Sequence, residues 1–128
     1  MVHKIDLRDY GMFTKYGFPE LEFLTVPEWA YRRMVEGSGQ PNRRRVNYYR
    51  DVARRLGFSC QIYVTYVLGV EREFIPAKTQ LQLGMDYPDS SVEMIRAIRP
   101  RLSVQFRELS DTDLLVQGIF LVARKPGP

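Results

Sequence analysis

Three side chains able to accept a proton lie close together near the start of the 128-residue sequence: His3, Asp6 and Asp9. They stand at the end of a predicted opening strand or just after it, where ligands approach in open α/β sheets. A carboxylate or imidazole there is suited to take a proton from a substrate hydroxyl or amine. The alternative, which turn chemistry favours, is that Asp6 and Asp9 cap turns and pair with Lys4 or Arg8.

Aromatic side chains follow these polar residues and are suited to form the wall of a substrate pocket. They are Tyr10, Phe13, Tyr16 and Phe18. Their rings supply rigid apolar surface of the kind that lines small-molecule sites. The favoured alternative is that the rings form the core of a long ordered loop between Gly11 and Leu24.

A third group of candidates follows the first predicted helix. Gln40, Asn42 and Arg43 are placed to reach a polar or anionic acceptor. For Asn42 the favoured alternative is a structural role, because asparagine is a preferred cap at the N-terminus of a helix.

Six arginines between Asn42 and Leu56 form the strongest local charge bias in a chain of net charge +4. They are Arg43, Arg44, Arg45, Arg50, Arg54 and Arg55. Such a cluster suits phosphate neutralisation and suggests nucleic-acid binding. On a helix, however, Val46, Tyr49 and Val52 occupy one side, so a solvated basic face explains the cluster equally well. Because no aromatic binding strand of the RNA-recognition type accompanies it, nucleic acid is not the expected partner.

The composition favours one compact domain, since 45% hydrophobic and 12% aromatic residues suffice to build a core. The sequence has neither an apolar run of roughly 18 residues nor a basic then apolar leader, so a cytoplasmic protein without membrane contact is expected. One cysteine and one histidine exclude an internal disulfide and are too few for a usual zinc site. Cys60 opens an apolar strand and is interpreted as a buried hydrophobic side chain rather than a nucleophile.

The elements that must position these residues alternate between strands and helices. Strands are predicted at Val2–Leu7, Cys60–Val70 and Leu115–Arg124, and helices at Pro27–Glu36, from Asn42 to the terminator Gly57, and from Ser90 to about Ile98. Capping boxes are predicted at Thr25 with Glu28 and at Ser90 with Glu93. This alternation indicates an α/β fold with helices packed on a thin sheet.

Three segments carry a resemblance to a known family. They are His3 to Phe13 (HKIDLRDYGMF), Ser38 to Arg43 (SGQPNR) and Asp113 to Pro126 (DLLVQGIFLVARKP). With the element order, they resemble the C-terminal half of class I, Rossmann-like methyltransferases that depend on S-adenosylmethionine (SAM). The first segment is similar to that family's fifth strand and the last to its antiparallel final strand. The resemblance therefore implies that the opening strand runs parallel to the Cys60–Val70 strand, with the last strand antiparallel between them.

The same resemblance implies methyl transfer from SAM to a small-molecule or saccharide-like acceptor, with this half contributing to the acceptor pocket. The family holds SAM on a glycine-rich turn between a strand and a helix, which allows close backbone approach. No pair of glycines in this sequence is placed in that way. The chain alone is therefore expected to bind no SAM and to be inactive.

Loss of the preceding strands would leave the opening strand as a sheet edge. Its unpaired amides and carbonyls invite pairing with another chain. A homodimer or a strand-exchanged assembly through Val2 to Leu7 is therefore expected. The alternative function is a noncatalytic binding or self-assembly module derived from a methyltransferase.

Overall fold

The computed structural model describes residues 2–9, 13–36 and 43–125, and its centre is a sheet of three strands. The strands are β1 (Val2–Asp6), β2 (Ser59–Val67) and β3 (Val116–Arg124), in the order β1-β3-β2. β3 runs antiparallel to both neighbours, so β1 and β2 point the same way. An α/β fold with three main strands and the last one antiparallel is therefore confirmed, as is its place between the other two.

Five α-helices and three short 3-10 helices accompany the sheet in the described residues. The α-helices are α1 (Glu28–Val35), α2 (Val46–Arg55), α3 (Asp89–Ile98), α4 (Val104–Arg107) and α5 (Asp111–Leu115), and the 3-10 helices are Thr14–Tyr16, Glu22–Thr25 and Arg99–Arg101. The predicted positions of α1 and α3 agree with the structure to within one or two residues. Helix α2 begins at Val46, later than predicted, and the short helix α5, capped by the Ser110 side chain, precedes the last strand.

Both predicted capping boxes are wrong. The residue before α1 is Pro27, and the Thr25 hydroxyl instead donates to the carbonyl of Glu22 within the preceding 3-10 helix. The residue before α3 is Pro88, which has no side-chain donor or acceptor for the first turn. In both cases a proline whose φ suits the entry to a helix replaces the expected hydroxyl cap.

One face of the sheet packs against the hydrophobic core. Residues directly opposite each other in an antiparallel pair share a face, which places Ile5, Ile119 and Val64 together. Helix α2 packs against β2 and β3, with Val46 and Ala53 buried.

The second face of the sheet carries polar and aromatic side chains, and in the described part of the chain only one of its two edges has a further backbone partner. Lys4, Phe120 and Tyr63 lie in register on the second face, where the Lys4 ammonium stands 5.6 Å from the Phe120 ring centre. The outer edge of β2 exchanges two hydrogen bonds with Lys78, at 2.7 and 2.9 Å from Val64. Within the described residues, the outer edge of β1 has no strand partner.

Candidate functional site

The largest departure from the sequence-based expectation is the backbone that leads into α2. The helix begins at Val46, and Arg45 before it is extended, with φ −103° and ψ 177°. In extended backbone, residues two apart point to the same side. Arg43 and Arg45 accordingly turn inward and are only 4% and 1% exposed, whereas Arg44 between them is exposed. The interpretation of the whole cluster as a solvated helix face is therefore wrong for Arg43 and Arg45.

The Arg45 guanidinium joins the ends of two neighbouring strands. Its Nη1 donates to the carbonyl of Leu7, just after β1, at 2.6 Å, and its Nη2 donates to the carbonyl of Val116, the first residue of β3, at 3.0 Å. Among the described residues, no carboxylate lies within 4.0 Å of it and its Nε has no hydrogen-bond partner. Burial lowers the pKa of Arg45 to about 10. Arg45 is thus a buried cation held by carbonyl dipoles.

The Arg43 guanidinium binds a different part of the chain. Its Nη1 donates to the carbonyls of Phe23, at 3.2 Å, and Val26, and its Nη2 donates to Glu28 Oε2 at 2.7 Å. The guanidinium carbon lies 4.2 Å from the ring centre of Tyr31. The Nε of Arg43 has no partner among the described residues. Arg43 therefore fixes the loop that leads into α1 and the first turn of that helix.

These arginines line one cavity of about 460 Å³ between α1, the start of α2 and α4. Its lining includes Glu28, Tyr31, Arg32, Val35, Arg43, Arg44, Arg45, Asn47, Tyr48, Gln105, Phe106 and Leu109. We call it the arginine pocket. Its volume falls in the range of small-molecule sites.

Of the described residues in this lining, Glu28 alone is acidic, and its charge is stabilised by its neighbours. Hydrogen bonds from Arg43 and Gln105 hold the pKa of its carboxyl below the ordinary value, against a smaller opposing effect of burial. Burial raises the pKa of the Tyr31 hydroxyl, the charge of Arg43 opposes that rise, and the charges of Asp9 and Glu28 add to it. The predicted residues Asp9 and Arg43 thus both act on Tyr31.

The carboxylates predicted at the site, Asp6 and Asp9, accept hydrogen bonds from residues close to them in the sequence. Asp6 accepts from the Arg8 side chain at 2.7 and 2.9 Å; burial raises the pKa of Asp6, but the Arg8 hydrogen bonds and charge outweigh it and keep the pKa below its ordinary value. Asp9 is buried and accepts from the backbone of Phe13 at 2.9 Å. These are the contacts of the turn-capping alternative, and an acidic Asp6 is a poor proton acceptor near neutral pH.

The structure brings the predicted residues together only in part. Asp6 lines a separate cavity of about 150 Å³, formed with Lys4, Ile5, Arg8, Thr65, Tyr66 and Gly118. His3 is exposed on β1. The Phe13 ring stands edge-on to Phe18 at 6.0 Å and packs against the core. Tyr10 and Gln40 lie outside the described residues.

Sequence reasoning missed Arg45 and the residues contributed by α1 and α4. One signal was present: three arginines in the first turn of a helix would oppose its dipole, so a start after Arg45 is electrostatically better than one at Asn42. Burial of Arg43 and Arg45 also removes two cations from the basic surface, and Arg50 pairs with Asp113 at 3.2 Å. The structure thus weakens the nucleic-acid interpretation.

The remaining candidate chemistries receive no support from the described part of the chain. Cys60 is half-buried rather than buried, and burial raises the pKa of its thiol. Residues 2–9, 13–36 and 43–125 contain no cluster of three metal-ligating side chains. Within the same ranges, no helix has the length and apolar character needed to cross a membrane.

The fold and the site together define an α/β protein with an inserted antiparallel strand and a basic, aromatic pocket. Comparison with protein-family models, curated proteins and solved structures gave no match.

The lowered pKa of Glu28 predicts a pH-dependent contribution to stability. A carboxylate whose folded pKa is depressed stabilises the fold above its unfolded pKa, ordinarily 4.5, and loses that contribution as the pH falls through the folded value. Glu28→Gln should therefore be destabilising near pH 7, and the difference from the wild type should shrink by about pH 3. Urea denaturation at several pH values measures it. Glu93→Gln, on the exposed side of α3, is the matched control, and a Glu28 difference independent of pH would contradict the assignment.

Proposed function

We propose that this chain is the C-terminal half of a Rossmann-like, SAM-dependent methyltransferase domain that acts on a small-molecule or saccharide-like acceptor. One observation carries the proposal, namely the strand order β1-β3-β2 with β3 antiparallel to both neighbours. Parallel strands are the rule in doubly wound sheets, so an antiparallel strand between two parallel ones is unusual. It is also the arrangement that the resemblance implies.

The described residues do not fit the cofactor of that family. A SAM site of that type needs a glycine turn that leads from a strand directly into a helix N-terminus. Gly69 comes two residues after β2 and has φ +78°, but the next helix, α3, begins only at Asp89. We therefore assign no methyl-transfer step to these residues, and on this proposal they contribute the acceptor side around the end of β1.

Calorimetric titration of the purified chain with SAM and with S-adenosylhomocysteine tests this proposal. No heat of binding is expected for either compound up to about 1 mM, because residues 2–9, 13–36 and 43–125 provide no backbone cradle for the cofactor. Micromolar binding of one molecule per chain would contradict the assignment. Cross-strand contacts measured by nuclear magnetic resonance that do not place β3 between β1 and β2 would remove the observation on which the methyltransferase origin depends.

The uncovered edge of β1 favours a second candidate function, a noncatalytic self-assembly module. The opposite edge of the sheet is occupied by the Lys78 segment, whereas within the described residues the outer edge of β1 has no strand partner. Val2, the first residue of β1, is 64% exposed. Pairing of two β1 strands in a homodimer, or exchange of β1 between chains, would satisfy this edge.

Sedimentation velocity in the micromolar range tests the second candidate. The wild type should sediment with the mass of two chains, and Val2→Lys should shift it toward one chain, because a charge on the edge strand opposes pairing. Val104→Lys is the matched control, since Val104 is 73% exposed on α4, away from the edge. A single-chain mass for the wild type at every concentration would rule the candidate out.

A further inference from the structure

We infer that the arginine pocket binds an organic anion that carries a carboxylate or phosphate group on an aromatic ring. The inference depends on the charge and shape of the pocket and not on a methyltransferase origin. Among the described residues, four arginines and one glutamate line the cavity and give this part of the lining a net charge of +3. A concave site lined by one sign of charge concentrates ligands of the opposite sign.

The buried arginines supply the strongest argument for an anion. Arg45 is 1% exposed and, within the described residues, has no carboxylate partner in ion-pair range. A buried charge is costly unless it is paired and hydrogen-bonded. The Nε groups of Arg43 and Arg45 are both buried donors without an acceptor among the described residues. An anion in the cavity that both residues line would offset part of this buried positive charge.

Aromatic and aliphatic groups give the ligand its second property. Tyr31, Tyr48 and Phe106 contribute rings to the lining, and Val35 and Leu109 add aliphatic surface. The Arg44 guanidinium carbon stands 4.0 Å from the ring centre of Tyr48, which restrains that cation beside the cavity. A cavity of about 460 Å³ is far larger than a single inorganic ion needs. The ligand therefore has an apolar ring as well as a charge.

Glu28 does not prevent anion binding. Its carboxylate accepts from Arg43 at 2.7 Å, from Arg32 at 3.2 Å and from Gln105 at 2.7 Å. These three donors compensate its charge and direct it toward α1 and α4. Arg45 makes no contact with Glu28 among those observed in the described residues, and it lies in the lining.

Titration of the full chain with four probes tests the inference by calorimetry and by amide chemical shifts. The probes are 1-naphthyl phosphate, 1-naphthoate, neutral 1-naphthol and inorganic phosphate. At least one naphthyl anion should bind with a Kd below about 1 mM, and naphthol and inorganic phosphate should each bind at least about tenfold more weakly. The first two probes distinguish a phosphate ligand from a carboxylate ligand.

Two double variants with the same change in charge localise the binding. R32Q/R44Q removes two exposed cations of the pocket and should weaken binding of the naphthyl anion by about tenfold or more. R33Q/R54Q removes two exposed cations outside the lining and should leave the Kd unchanged. Circular dichroism checks that both variants fold. No binding of either naphthyl anion, equal binding of naphthol, or equal weakening in the two variants would overturn the inference.

Discussion

The two hydrogen bonds that the Arg45 guanidinium donates are the interaction on which the rest of the structure depends. The guanidinium donates to the carbonyl of Leu7 where β1 ends and to the carbonyl of Val116 where β3 begins. Strand ends inside a protein leave carbonyls that must find donors. A single fixed fork of N–H groups satisfies two of them at once, which lysine cannot do with the same geometry. Because Arg45 directly precedes α2, these hydrogen bonds also fix where that helix begins relative to the sheet.

The same principle applies to the loop before α1. Arg43 serves the carbonyls of Phe23 and Val26 in the loop before α1, as Arg45 serves the two strands. Because the two arginines are two residues apart on extended backbone, they reach inward side by side. Their placement brings α1, the start of α2 and α4 around one basic cavity. The arginine pocket is thus a consequence of how the loop carbonyls are satisfied.

The strands and most helices were predictable because their signal is local. Runs such as Cys60–Val70 and Leu115–Arg124 are rich in β-branched and aromatic residues, and the structure has strands there. The strand order required the family resemblance, since no local pattern states which strands pair. Of the predicted site residues, Arg43 lines the arginine pocket and Asp6 a separate small cavity, whereas His3 and Phe13 line neither.

The inward turn of Arg43 and Arg45 was not predictable from charge alone. Arginine is almost never fully buried unless it is paired, so a solvated face is the ordinary expectation for a basic cluster. Here the partners are carbonyls distant in sequence, 38 residues away for Leu7 and 71 for Val116. Such partners become visible only when the chain is folded. The predicted helix cap at Asn42 reinforced the error, because it placed the three arginines inside the helix.

Amide hydrogen exchange of the Arg45→Met variant tests the central role of Arg45 most directly. The amide of Leu7 donates to the carbonyl of Gln117 at 2.9 Å, beside the two hydrogen bonds of Arg45. The account predicts that exchange of the Leu7 amide accelerates by about tenfold or more relative to that of Ile119 in mid-strand. The reason is that local opening of the variant does not require the two guanidinium hydrogen bonds to break. Arg55→Met, at the exposed end of α2, is the control. Unchanged relative protection of Leu7 in Arg45→Met would contradict the account.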